Sequence, residues 1–279
     1  MLWQGRRQSS NIEDRRGMGG VGVGGGIGAL VIGLIIYLLG GDPSAVIDQS
    51  PQSQPMSQEQ RAEQDETSQF VAVVLADTED VWSKLFNEMG KQYVDPTLVM
   101  FNQATQSGCG FASAATGPFY CPADQKVYID LSFFDELQNR FHASGEFAEA
   151  YVIAHEVGHH VQNLLGITDK VDAMRGRLSE KEMNALSVKL ELQADFLAGV
   201  WAHYEEKFKN VLQPGDIESA LNAANAIGDD RLQREAQGRV VPDSFTHGTS
   251  AQRMYWFKKG YQTGDINQGD TFNAPDLNS

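Results

Sequence analysis

Apolar and polar positions change their spacing several times along this chain, and each change marks a segment. Residues 18–41 carry no charged side chain; glycines crowd the first part, and Ile27 to Leu39 is a nearly continuous aliphatic run. About 20 apolar residues in a helix cross the hydrocarbon core of a bilayer, so the pattern predicts one transmembrane helix over 18–41. Arg6, Arg7, Arg15 and Arg16 precede the run, and only Asp42 and Asp48 follow it closely. That asymmetry predicts a cytoplasmic tail over 1–17 and a single-pass chain whose remainder lies outside the cell membrane. A cleaved signal peptide is the alternative, but Tyr37 to Asp42 lacks a clear small-x-small cleavage site. Gly20, Gly24 and Gly28 form a small-xxx-small ridge that would allow weak self-association of two anchors. Simple glycine richness explains that ridge equally well.

Residues 42–69 are rich in Ser, Gln, Pro and acidic groups and nearly free of aromatics. Such a stretch buries too little apolar area to offset the entropy of ordering it, which predicts a flexible linker. An apolar pattern resumes at Phe70, so one folded domain is expected over 70–279. Within it, Phe147, Ala150, Tyr151, Ala154, Val157, Val161 and Leu164 recur at helical spacing, and Gly166 supplies a stop. A second helix is expected from about Glu180 to Lys207, opened by a Ser179/Glu182 capping box. Its stripe runs through Met183, Leu186, Leu190, Ala194, Leu197 and Trp201. Gln125 to Asp130 alternates as a strand does, with Val127 and Ile129 on one side and Tyr128 on the other. The fold class is therefore α+β, mainly helical with a small sheet, preceded by the transmembrane helix.

The 279 residues carry a formal net charge of -15. With no basic stripe to offset it, a nucleic-acid partner is excluded. The two cysteines, Cys109 and Cys121, lie in a segment rich in small residues. A disulfide between them would close a short loop and contribute about 3 kcal/mol on the chain-entropy account, and an exported compartment permits it. Two buried thiols or a metal pair are the alternatives.

The chemistry concentrates in His155-Glu156-Val157-Gly158-His159-His160. His155 and His159 are one helical turn apart, so both imidazoles reach one metal ion, and neutral imidazole suits zinc. Glu156 is turned slightly aside, placed to act as a general base rather than a ligand. His160 projects about 100° around the helix and does not join the same ion. Glu191 and Asp195 sit within or beside the apolar stripe of the second helix, where carboxylates rarely lie unless paired or metal-bound. Glu191 is the best third ligand, and Asp195 fits an acceptor that orients a ligand histidine. The two acids could also exchange roles, or Glu191 could simply be solvated beside Lys189 and Gln193.

These two motifs together resemble the bacterial neutral zinc metallopeptidase family, and more widely the gluzincins. The resemblance covers essentially the whole chain, from the arginine-flanked glycine-rich run through Cys109 and Cys121 to Thr246-His-Gly-Thr-Ser-Ala-Gln-Arg253. It implies a zincin-like domain in which a sheet edge above the His155 helix holds a peptide by main-chain pairing, a place that Gln125 to Asp130 would take unless it is an ordinary half-buried strand. It also implies one zinc per chain on His155, His159 and Glu191, with Asp195 supporting His155. Related membrane peptidases carry His-Pro with an Arg six residues beyond the His; His247 and Arg253 keep that spacing, but Gly248 replaces the proline. His247 is thereby the candidate donor to a developing oxyanion, with a helix-capping loop histidine as the alternative. Arg253 would pin the tail to the helices through a carboxylate or face solvent.

Taken together these features imply zinc-dependent hydrolysis of peptide bonds by a membrane-anchored bacterial enzyme. Its substrate would be a peptide or protein, its anchor would contact the lipid bilayer through 18–41, and its catalytic domain would be periplasmic or extracellular. Two other readings stand beside it: a catalytically silent zinc-binding scaffold tethered to the membrane, and a zinc amidase acting on cell-wall peptides.

Overall fold

The computed structural model describes residues 1–16, 58–275 and 277. An N-terminal arm ends in strand β1 (Ile12–Asp14). Helix α1 (Gln58–Glu88) then leads to β2 (Thr97–Phe101), a β3–β4 hairpin (Ala104–Ser107 and Gly110–Ser113), β5 (Phe119–Cys121) and β6 (Lys126–Asp130). The rest is helical: α2 (Ser132–Asn139), α3 (Glu146–Leu164), α4 (Ile167–Asp172), α5 (Glu180–Tyr204), α6 (Asp216–Ala226), α7 (Asp229–Gln237) and α8 (Ser250–Thr263).

Both helices expected from apolar spacing form, and their ends follow local chemistry. Helix α3 stops where Gly166 takes a left-handed conformation at φ 69°. Helix α5 begins with the complete Ser179/Glu182 capping box. Helix α5 then packs along α8 with backbones nearly touching. A Cβ on Gly199 would lie 2.0 Å from the Phe257 carbonyl oxygen, and one on Gly260 would lie 2.0 Å from that of Phe196. Only glycine permits this approach, and it brings the residues of the α8 N-terminal turn against the middle of α5.

The sheet has the order β1-β2-β6-β5, with β1, β2 and β6 parallel and β5 antiparallel to β6. Its two faces separate with a period of two, as a pleated strand requires. Leu98, Met100, Val127 and Ile129 enter the main core. Val99, Phe101, Cys121 and Tyr128 form a smaller cluster on the other side, joined by Phe119. Tyr128 thus faces away from Val127 and Ile129, as the alternation predicted. Strand β6 is not an edge, however: β2 and β5 occupy both of its sides, so it has no free main-chain groups for a peptide. The edge on that side of the sheet is β5. The disulfide Cys109–Cys121, with an S–S distance of 2.04 Å, ties β5 to the β3–β4 turn.

The N-terminal arm requires a larger correction. Among the described residues no helix is long and apolar enough to cross a membrane. The run expected to do so, 18–41, lies outside the described residues, and with it the expected lipid contact and self-association. The arm before it folds onto the domain. Strand β1 pairs in parallel with β2, Ile12 opposite Leu98. The Trp3 ring meets Phe70 edge-on at 5.5 Å, and its indole donates to Glu146 at 2.7 Å. Arg6 pairs with Asp77 at 2.6 Å, and Arg7 with Glu79 and Asp80 at 2.9 and 2.7 Å. Arg15 and Arg16 pair with Glu13 and Asp14.

Residues 1–16 and the domain are therefore one folded unit on one side of any bilayer. A single pass between them, with a cytoplasmic tail and an exported catalytic domain, does not fit these contacts. The four arginines that read as a cytoplasmic flank are partners for carboxylates of the fold. Helix α1 also starts at Gln58, inside the stretch expected to be linker. Phe70, Val71, Val73, Val74 and Leu75 are all buried because the core takes one side of α1 and the arm covers part of the other.

Candidate metal centre

Helix α3 carries His155, Glu156 and His159, and α5 crosses it carrying Glu191 and Asp195. Gly158 sets how closely they cross: a Cβ there would lie 3.0 Å from the Ala194 carbonyl oxygen. The crossing places His155 Nε2 3.2 Å from one Glu191 oxygen and His159 Nε2 3.4 Å from the other. One donor atom from each of the three residues falls within 4.8 Å of the others.

The ring hydrogen bonds fix what those nitrogens present. His155 Nδ1 faces Asp195 Oδ1 at 2.8 Å, so it carries a proton toward that carboxylate. His159 Nδ1 faces the Gln162 Oε1 at 2.9 Å and also donates. Both Nε2 atoms are then lone-pair faces aimed at an acidic side chain. Three acceptors pointing at one another are satisfied only by protons or by a cation. A tetrahedral zinc ion with bonds of about 2.0–2.1 Å spaces its ligands roughly 3.3 Å apart, close to the two histidine–Glu191 distances, each of which is to a different carboxylate oxygen. The donor set of two imidazoles and one carboxylate suits zinc, and the group fits.

The electrostatics show how protons balance this site when no ion is bound. Burial alone would lower the His155 pKa, but Asp195 and Glu191 outweigh it and push it up to about 10. Glu191 raises His159 against burial in the same way. Burial opposes ionisation of Glu191, yet the charges of His159 and His247 and the hydrogen bond from His155 hold it well below the usual carboxylate range.

Asp195 is wholly buried and gathers a network. Its Oδ1 accepts from Tyr151 at 2.5 Å, from His155 at 2.8 Å and from Arg253 at 3.0 Å; its Oδ2 accepts from Arg253 Nε at 2.8 Å. Arg253 also reaches the Tyr151 oxygen at 3.2 Å and the Ile227 carbonyl at 3.3 Å. Arg253 and His155 hold Asp195 down to about 2, against burial. Arg253 therefore pins α8 to α5 through the Asp195 carboxylate and to α3 through Tyr151.

Glu156 is also buried, and among the described residues no hydrogen bond ties its carboxylate. His247 stands near Glu191, whose charge raises its pKa against burial, with Asp229 adding to the effect. The His247 loop is built on Asp229, the first residue of α7. Its Oδ2 accepts the backbone N–H groups of Thr246, His247 and Gly248 at 2.8, 2.7 and 3.0 Å. Its Oδ1 lies 3.3 Å from the His247 ring Nδ1. His160 turns away from the centre, between the Tyr120 hydroxyl and the Val94 carbonyl.

The sequence reading missed Gln162, Tyr151 as a polar partner, and Asp229. Gln162 lies seven residues after His155 on the same helical stripe, a spacing that could have revealed it. Asp229 had no comparable signal, because an acid in the first turn is common to most helices.

A family profile described as "Putative neutral zinc metallopeptidase" matches residues 1–272. The chain belongs to that family. The match starts at residue 1, so the N-terminal arm falls within the family's extent, as its packing on the domain implies. The chain is similar to uncharacterized protein YpfJ of Escherichia coli (strain K12), 52% identical over 98% of this chain and 99% of the relative. It is also similar to uncharacterized protein Mb2605 of Mycobacterium bovis and uncharacterized protein Rv2575 of Mycobacterium tuberculosis. Each is 41% identical over 86% of both chains. No solved structure matches it. The family's description points to zinc, the ion for which the donors on α3 and α5 are suited.

Proposed function

We propose that this member of the zinc metallopeptidase family hydrolyses peptide bonds at the centre formed by α3, α5 and the His247 loop. His155, His159 and Glu191 would hold one zinc ion. The observation that carries the reading is the convergence of their three acceptor atoms beside Glu156, which is buried and hydrogen-bonded to nothing among the described residues. Zinc in such a site supplies Lewis acidity toward water and a peptide carbonyl.

The remaining work belongs to the chain. Glu156 takes a proton from the attacking water and delivers it to the departing amine, so the acid is regenerated in its ionised form. His247, steadied through Nδ1 by Asp229, turns its other ring nitrogen toward the oxyanion that develops as the carbonyl is attacked. Asp195 fixes the ring of His155, and Tyr151 and Arg253 hold Asp195. An unpaired buried acid beside a ligand set distinguishes this arrangement from a purely structural zinc site, which has no use for a base.

The direct test uses the full chain, stripped of metal and then reloaded, with an unfolded protein and a mixed peptide library as substrates. Cleavage is expected after zinc is restored and not before. A zinc-loaded protein that cleaves no member of the library would overturn the peptidase reading.

The proton balance gives a second expectation. In the metal-free protein His155 titrates at about 10 rather than 6.5, so at neutral pH it holds a proton that zinc must displace. Zinc affinity should therefore rise with pH, about tenfold per pH unit for each proton released. Competition titrations between about pH 6 and about pH 8 read that slope directly. A flat profile would remove the His155 proton from the binding step.

A further inference from the structure

The two metal-facing histidines are supported in different ways. His155 donates to a carboxylate, but His159 donates to a neutral amide, and the surroundings of that amide settle which way it points. Gln162 is fully buried. Its Nε2 donates to the Leu190 carbonyl at 2.7 Å and to Gln193 Oε1 at 3.1 Å. Gln193 is oriented in turn, because its Nε2 donates to the Gly269 carbonyl at 2.9 Å. Both Gln162 amide protons thus have acceptors on α5, and reversing the amide would set its oxygen against two other oxygens. The Oε1 is left facing His159 Nδ1, where it can only accept. A ring nitrogen facing a pure acceptor must be the protonated one, so the His159 lone pair is confined to Nε2, the atom that faces Glu191.

We propose that Gln162 is a positioning residue for the metal centre: it fixes the tautomer and ring angle of His159, and is itself set by Leu190 and Gln193. The proposal rests on the reading of His155, His159 and Glu191 as a zinc site. It assigns a function to the run His159-His160-Val161-Gln162 beyond its two histidines, and it makes α5 contribute to His159 as well as to His155. Gln193 and Gly269 extend the support to the chain segment that follows α8. A ligand histidine whose supporting partner is removed loses roughly 10- to 100-fold in metal affinity.

Two substitutions separate positioning from packing. Gln162→Met keeps the shape but can neither accept from His159 nor donate to α5. Gln162→Glu keeps an acceptor for His159 and loses the donors to α5, so both variants disturb the helix contact. In the full chain, zinc affinity by competition titration is expected to fall about tenfold or more for Gln162→Met and by a clearly smaller factor, about that of releasing the α5 anchors alone, for Gln162→Glu. The visible spectrum of the cobalt-substituted protein should shift in the Met variant and stay near wild type in the Glu variant.

Wild-type zinc affinity in Gln162→Met overturns the proposal, and so does an equal loss in both variants, which would mark a packing role. Should Gln162→Met not fold, Gln193→Met releases one of the two anchors of the Gln162 amide. Several-fold weaker zinc binding is then expected, and an unchanged affinity overturns the relay. Failure of wild-type protein to bind zinc would sink the zinc-site reading itself, an outcome distinct from all of these.

Discussion

Replacing Glu156 with Gln is expected to leave about one zinc bound per chain while peptide hydrolysis falls by roughly 100- to 10,000-fold, the range for loss of a positioned base. The expectation follows from where the side chain lies. Glu156 is on the helix of the two candidate ligand histidines but outside the three-residue donor set, and no hydrogen bond among the described residues engages it. Gln has the same shape and no proton affinity, so the substitution removes the transfer of a proton and little else. Metal analysis and cleavage rates on the same preparations test both halves of the claim. Near-normal hydrolysis would end the assignment of Glu156 as base, whereas loss of zinc together with activity would make Glu156 part of the metal's support.

Replacing Arg253 with Met should have the largest effect on stability. The guanidinium grips both oxygens of Asp195, which has no contact with solvent, and shares Tyr151 with it. Without Arg253 the Asp195 carboxylate stays buried with only His155 and Tyr151 as partners. Removing one member of a buried pair typically destabilises by about 3–5 kcal/mol when the other charge is stranded, and because His155 stays beside Asp195 the loss is expected near the lower figure. Urea unfolding of the metal-free variant measures this directly. A loss below about 1 kcal/mol would show that Asp195 is neutralised by other means. Arg253→Lys should fall between, since an ammonium keeps the charge but not the two parallel bonds.

Local signals make much of this centre legible in the sequence. The apolar spacing of α3 and α5, the Gly166 stop and the Ser179/Glu182 box act within one or two helical turns. A reading of neighbours in sequence therefore captures them. The convergence of His155, His159 and Glu191 follows once both helices exist and cross. Gln162 and Asp229 escaped because their roles depend on partners elsewhere, Leu190 and Gln193 for one and the His247 loop for the other. The order of strands likewise depends on distant pairings. A short alternating run such as Lys126–Asp130 reads the same at an edge or in the middle of a sheet.

The arm shows a stronger form of the same limit. Arg6 and Arg7 find their carboxylates on α1, far along the chain. In sequence they stand only before a long aliphatic run, where they match the charge bias of a cytoplasmic flank. Local pattern and tertiary pairing point in opposite directions for these arginines; without the arm the buried Glu79 would lose Arg7, and Asp77 would keep only Lys209.

The parallel pairing of β1 with β2 also bears on how the protein is made and handled. On the ribosome, at roughly 5–20 residues per second, the arm precedes β2 by on the order of ten seconds. It is thus the strand already waiting when Leu98-Val99-Met100-Phe101 emerges, before β6 exists. It covers one flank of an apolar strand that would otherwise be a template for pairing between molecules. A shortened protein begun at Phe70, where the apolar pattern resumes in the sequence, would lose that cover and expose β2 to its own copies. The first sixteen residues serve the solubility of the nascent sheet as well as the finished fold.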